Sequence, residues 1–114
     1  MIDPLTVKYG SNLLDNPLIR KRVSDVLDAT NSLAACEPSE YEAYVIDKYI
    51  GLTMQTTGYT DPEFVKSMRV RIMQDISMNT VLNADMKLYL YIVIVSICDD
   101  QISYIKWVKE GVYE

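Results

Sequence analysis

The feature that most limits what this chain can fold into is an uncharged run of Leu, Tyr, Ile and Val from Leu88 to Cys98, closed on one side by Asp85 and Lys87 and on the other by Asp99 and Asp100. As a helix, at 1.5 Å of rise per residue, the run covers only about half of a hydrocarbon core roughly 30 Å thick, so protein rather than lipid is expected to bury it. It reads as the spine of a core. Its Ile, Val and Tyr also suit a strand, and Asp99-Asp100 could turn a hairpin into Ile102 to Val108. Ile102, Ile105, Val108 and Val112 nevertheless fall at helical spacing, and Lys106, Lys109 and Gly111 have the order of a helix end. The favoured reading is a buried helix running on into an amphipathic one, with an α+β domain carrying a hairpin at 88–108 as the alternative.

Upstream, the punctuation is helical. Residues 1–15 read as an arm or edge segment with a short extended stretch from Leu5 to Tyr9. Asn16 before Pro17 is a good helix start, because Asn can cap and Pro lacks only an amide that the first turn would leave unpaired. The helix from Pro17 to about Ala34 gathers Ile19, Val23, Val26, Leu27, Ala29 and Thr30 near one face and Arg20, Lys21, Asp25 and Asp28 opposite. After a break at Cys36 to Pro38, Ser39 and Glu42 form a capping box for a helix from Glu40 to Met54. Tyr41, Tyr44, Val45, Ile46, Tyr49, Ile50 and Leu52 make that helix apolar on more than one side. A second capping box is expected with Thr60 as cap, Pro62 in the first turn and Glu63 as partner. Phe64, Met68, Ile72 and Ile76 then mark the buried stripe, with Lys66, Arg69, Arg71, Gln74 and Asp75 opposite. Asn83 caps the last helix, and Asp85 suits its first turn. The expected fold is an all-α, single-domain bundle of about four helices over residues 16–114, preceded by the arm.

A chain of 114 residues that is 49% hydrophobic and 24% charged can bury a core without staples. Its net charge of −5 is divided between both halves, which disfavours nucleic acid, whose phosphates call for a net basic face. Cys36 and Cys98, in a chain with no cleavable apolar leader after Met1, read as reduced thiols rather than a disulfide. The expected location is the cytoplasm of a host cell or a virion, with no membrane.

The search for chemistry gives absences. The chain has no histidine, the commonest general base and metal ligand, and its four glycines never cluster into a phosphate loop. Asp99-Asp100 and the group Glu37, Glu40, Glu42 could ligate a hard cation, but the simpler reading is a solvated boundary for the first and helix-end partners for the second. Nothing in spacing supports a Ser-Lys pair using Ser96 or Ser103. No catalytic residue, cofactor or metal is expected.

Three features have interaction value. Lys66, Arg69 and Arg71, with Arg20, Lys21 and Arg22, could meet an acidic partner or phosphate groups, although the favoured reading is a solvated face paired with neighbouring carboxylates. Nine tyrosines against one Phe and one Trp suit surfaces that are buried in a complex yet soluble alone. Tyr104, Trp107 and Tyr113 concentrate large aromatics, the usual interface anchors, near the end of the chain. The small, acidic, helix-dominated profile is similar in style to phage head-to-tail connector subunits and to small viral inhibitors of host factors, and the likeness carries no residue assignments. The expected function is therefore a non-enzymatic connector- or adaptor-type subunit of a viral particle, homo-oligomeric or held in a larger assembly. A small inhibitor of one host protein is the alternative, and a carboxylate- and metal-dependent enzyme comes third.

Overall fold

The computed structural model describes residues 17–111, apart from the side chain of Ile19. The expectations for Asn16, the arm, the extended stretch from Leu5 to Tyr9, Val112 and Tyr113 lie outside them. Among the described residues the fold is an all-α bundle of four helices: α1 (Pro17–Ala35), α2 (Glu40–Met54) followed by a 3-10 turn (Gln55–Gly58), α3 (Pro62–Met78) and α4 (Ala84–Glu110). No strand occurs among the described residues. The hairpin alternative is thereby excluded, and helical spacing overrides the β preference of the Ile, Val and Tyr residues because α4 is surrounded by other helices rather than by strands.

α4 is the spine. It packs against α1, α2 and α3, and α2 packs in turn against α3. The core joins Val45, Ile46 and Tyr49 of α2, Val65, Ile72 and Ile76 of α3, and Leu82 just before α4, to Met86, Leu90, Ile94, Cys98 and Ile105. The apolar run thus sits within a helix of 27 residues, about 40 Å long. By length and composition that helix could cross a bilayer, its most apolar stretch having a mean hydropathy of 1.4. The run alone is too short for a bilayer, whereas the whole helix is not. Packing is what buries it in protein: Leu90, Ile94 and Cys98 are sealed off by neighbouring helices.

The helix ends follow side-chain chemistry. At α2, Ser39 and Glu42 form the expected capping box, with distances of 3.1 and 2.9 Å. At α4, the Asn83 carboxamide accepts from the Met86 amide at 2.9 Å, and Gly111 ends the helix in the left-handed region at φ 73°. The expected Thr60 cap is corrected. Asp61 caps α3, accepting from the Glu63 amide, so Thr60 lies outside the helix and Glu63 sits one position too early to reciprocate.

Two buried stripes also differ from expectation. On α3 the core face is Val65, Ile72 and Ile76 with half-buried Met68, Arg69 and Met73, while Phe64, one residue off this stripe, turns outward onto the Tyr59 ring at 4.4 Å. Among the described side chains of α1 only Ala29 is buried, with Arg22, Val23, Asp25, Val26 and Leu33 half-buried, as is Cys36 just beyond the helix; Leu27 and Thr30, each about 100° round the helix from this line, face water. α2 is apolar on several sides but buried on one, through Val45, Ile46, Tyr49 and Thr53.

Candidate interaction surfaces

The acidic pair at the end of the apolar run does not mark a solvated boundary. α4 continues through it, and each carboxylate holds a different helix: Asp99 bonds Arg69 of α3, and Asp100 lies 3.6 Å from Arg22 of α1, which also donates to the Ser103 hydroxyl at 3.0 Å. Both are half-buried. Their oxygens therefore face guanidinium groups that position α1 and α3 on the spine.

Lys66, Arg69 and Arg71 do not form one basic face. Lys66 is exposed and pairs along its own helix with Glu63 at 3.3 Å. Arg69 belongs to the buried stripe facing Asp99, and Arg71, about 160° away round the helix, is exposed. Tyr104 and Trp107 lie together on α4, ring centroids 6.0 Å apart, and both are half-buried. Glu42 acts as a cap, as expected.

Two surfaces stand out that composition did not reveal. One is the outer face of α2, where Tyr41 and Tyr44 are 62% and 66% exposed and stack at 6.5 Å. At helical spacing Lys48, Gly51, Leu52 and Gln55 continue the same face, all exposed. The signal was present as Tyr41, Tyr44, Lys48 and Leu52 at i, i+3, i+7 and i+11, but the apolar residues around it masked which side would be covered.

The other is an open groove of about 840 Å³ between the C-terminal half of α1 and the N-terminal half of α4. Ala29, Ser32 and Ala35 on α1 are too small to cover Leu88, Tyr89 and Ile92 on α4, so Leu88 is 57% exposed. Asp25, Asp28 and Asp85 stand along this groove, none of whose lining residues is basic, and none of the three forms an ion pair among the described residues.

Among the described residues no buried side-chain nitrogen or oxygen lacks a hydrogen-bond partner. Tyr49 donates its hydroxyl proton to Asp75 at 2.6 Å and accepts from the Asn79 carboxamide, joining α2 to α3 and the loop beyond it. Burial, then the hydrogen bond to Asp75, raises the Tyr49 pKa above 10.0. Burial raises the Cys98 thiol above 9.0, against the opposing effects of Thr56 and Arg69, so this sulfur is a packed thiol rather than a nucleophile. Both cysteines are free. Among the described residues no group of His, Cys, Asp or Glu is placed to hold a metal ion.

The chain matches no protein-family model, no curated protein and no solved structure.

Proposed function

We propose that this protein is a non-enzymatic subunit whose product is a surface: a connector- or adaptor-type component of a viral particle that assembles with copies of itself, in the cytoplasm or the virion and outside any membrane. The observation that supports it is the outer face of α2, where two stacked tyrosines and Leu52 face water in a chain that has ample core elsewhere. Exposed tyrosines beside a leucine make an interface anchor, apolar in body and wettable at the tip. The acidic pair that an enzyme reading would use for a metal is already engaged by arginines.

Native mass spectrometry and light scattering across a concentration series test this reading. Oligomers that are lost in a Tyr41→Ser/Tyr44→Ser variant are the expected result. A chain that stays monomeric at every concentration overturns self-assembly, and a monomer that co-purifies with one foreign protein favours the inhibitor. Tight divalent-cation binding that depends on Asp99 and Asp100 would restore the enzyme.

A further inference from the structure

The outer face of α2 and the α1–α4 groove complement each other. The α2 face is apolar with a cation at its middle, Lys48, flanked by Tyr41 and Tyr44 on one side and Leu52 on the other, and the exposed Asp47 stands at its edge. The groove is apolar with carboxylates along its edges. From Tyr41 to Leu52 the face measures about 16 Å, the same as the stretch of α1 from Asp25 to Cys36 that lines the groove. Gly51 adds to the fit, because a side chain there would meet nothing within the chain, which leaves room for a close neighbour.

Pairing the α2 face with itself across a two-fold axis is disfavoured, since antiparallel helices centred on Lys48 would set two ammonium groups against each other. A contact between two different patches removes that conflict. We infer that the α2 face of one copy docks in the α1–α4 groove of the next, with Tyr41, Tyr44 and Leu52 covering Leu88, Tyr89 and Ile92, and Lys48 meeting Asp25, Asp28 or Asp85. Such a contact is heterologous, and repeated head to tail it generates a ring when the rotation closes and a filament when it does not. The inference rests on the self-assembly proposed above and names both of its surfaces.

A mixing experiment tests it. Lys48→Glu spoils the α2 face and leaves the groove intact; Asp28→Lys/Leu88→Ser spoils the groove and leaves the α2 face intact. All three positions are exposed, and far-UV circular dichroism checks that both variants keep the fold. Each variant alone is expected to stay monomeric at concentrations about tenfold or more above those at which the unaltered chain associates, the scale set by losing about 1.4 kcal/mol at one contact. Mixed, the two are expected to form a 1:1 dimer that grows no further, because the mixture contains one good face and one good groove. Cys36 provides a local readout: it lines the groove and is partly accessible, whereas Cys98 is sealed, so alkylation of Cys36 should slow as the unaltered chain associates.

If the unaltered chain associates but the mixture does not, or Cys36 reacts equally fast in monomer and oligomer, the docking is wrong while self-assembly stands. If the unaltered chain never associates, both fall. Protection of Cys36 only by an added basic, amphipathic peptide assigns the groove to a foreign partner and overturns the inference.

Discussion

At one end of the α1–α4 contact, Arg22 reaches across to Ser103 and lies against Asp100; at the other, Asp25, Asp28 and Asp85 stand round a groove with no basic residue in its lining. The same two antiparallel helices supply both ends. Side-chain size and charge pairing make the difference: a long guanidinium spans the gap at the first, and Ala29, Ser32 and Ala35 leave it unfilled at the second. Carboxylates along the α1–α4 contact thus have two roles that composition cannot separate. Asp100, with an arginine partner, holds the two helices together, and Asp25, Asp28 and Asp85, without one, stand along the open groove.

The largest test sets two leucines of α4 against each other. Leu90 is fully buried in the core, and Leu88, two residues away, faces the groove. Leu90→Ala is expected to lower unfolding stability by about 3 kcal/mol through lost burial and a residual cavity, and Leu88→Ala by less than about 0.5 kcal/mol. Urea titration of the dilute monomer followed by circular dichroism measures both. Equal losses would mean that the groove floor is as much core as Leu90.

The charged residues come next. Arg22→Ala leaves Asp100 half-buried and removes the hydrogen bond to Ser103, for an expected cost of about 1–2 kcal/mol. Asp28→Asn at the open end should change stability by no more than about 0.5 kcal/mol. A double-mutant cycle on Lys66 and Glu63, an exposed pair along one helix, should give a coupling below about 0.5 kcal/mol. A coupling there as large as the effect of Arg22 would erase the distinction between pairs that join helices and pairs that decorate one.

Much of this architecture was legible in the residues. Pro17, Ser39 with Glu42, Asn83 and Gly111 announced the helix limits because capping is local chemistry, decided within four residues. The apolar run announced the spine because an uncharged stretch of that length has to be covered by the rest of the chain. What the sequence did not show depended on which neighbour stands where. Phe64 and Val65 are equally apolar, and only the position of α4 decides that Val65 is covered. Arg69 reads as a surface cation until Asp99 is found opposite it, 30 residues along the chain. The groove was least legible, since it arises from volumes on two helices that lie some 60 residues apart.

Alkaline pH tests the core through its buried thiol. Cys98 is neutral when protonated, and burial raises its pKa in the folded chain, so above the ordinary value of 9.0 the folded chain keeps a proton that the unfolded chain has released. Stability is full below that value and falls as pH climbs through the raised one, by up to about 1.4 kcal/mol per pH unit. Tyr49 adds a second decline above 10.0 with the same sign. Denaturation midpoints measured from pH 8 upward should therefore turn down near pH 9, and Cys98→Ala should delay the downturn by about one unit, to the onset set by Tyr49. In the native monomer a thiol reagent should modify Cys36 alone, and Cys98 only after unfolding.

A further effect, opposite in sign, concerns the stop of α1 at the groove end. Glu37 follows Cys36 with φ at 49°, in the left-handed region, and precedes Pro38. A side chain is disfavoured in that region, and a residue before proline prefers extended backbone, so the turn that brings Cys36 to the groove is held against local preference. Glycine has no Cβ to clash there, and Glu37→Gly is expected to stabilise the fold by about 0.5–1 kcal/mol. Glu37→Ala serves as the control, because it removes the same charge but keeps the Cβ. If the glycine variant alone gains stability in urea, backbone strain is located at the open end; if alanine gains as much, the relief comes from removing the Glu37 side chain rather than from freeing the backbone.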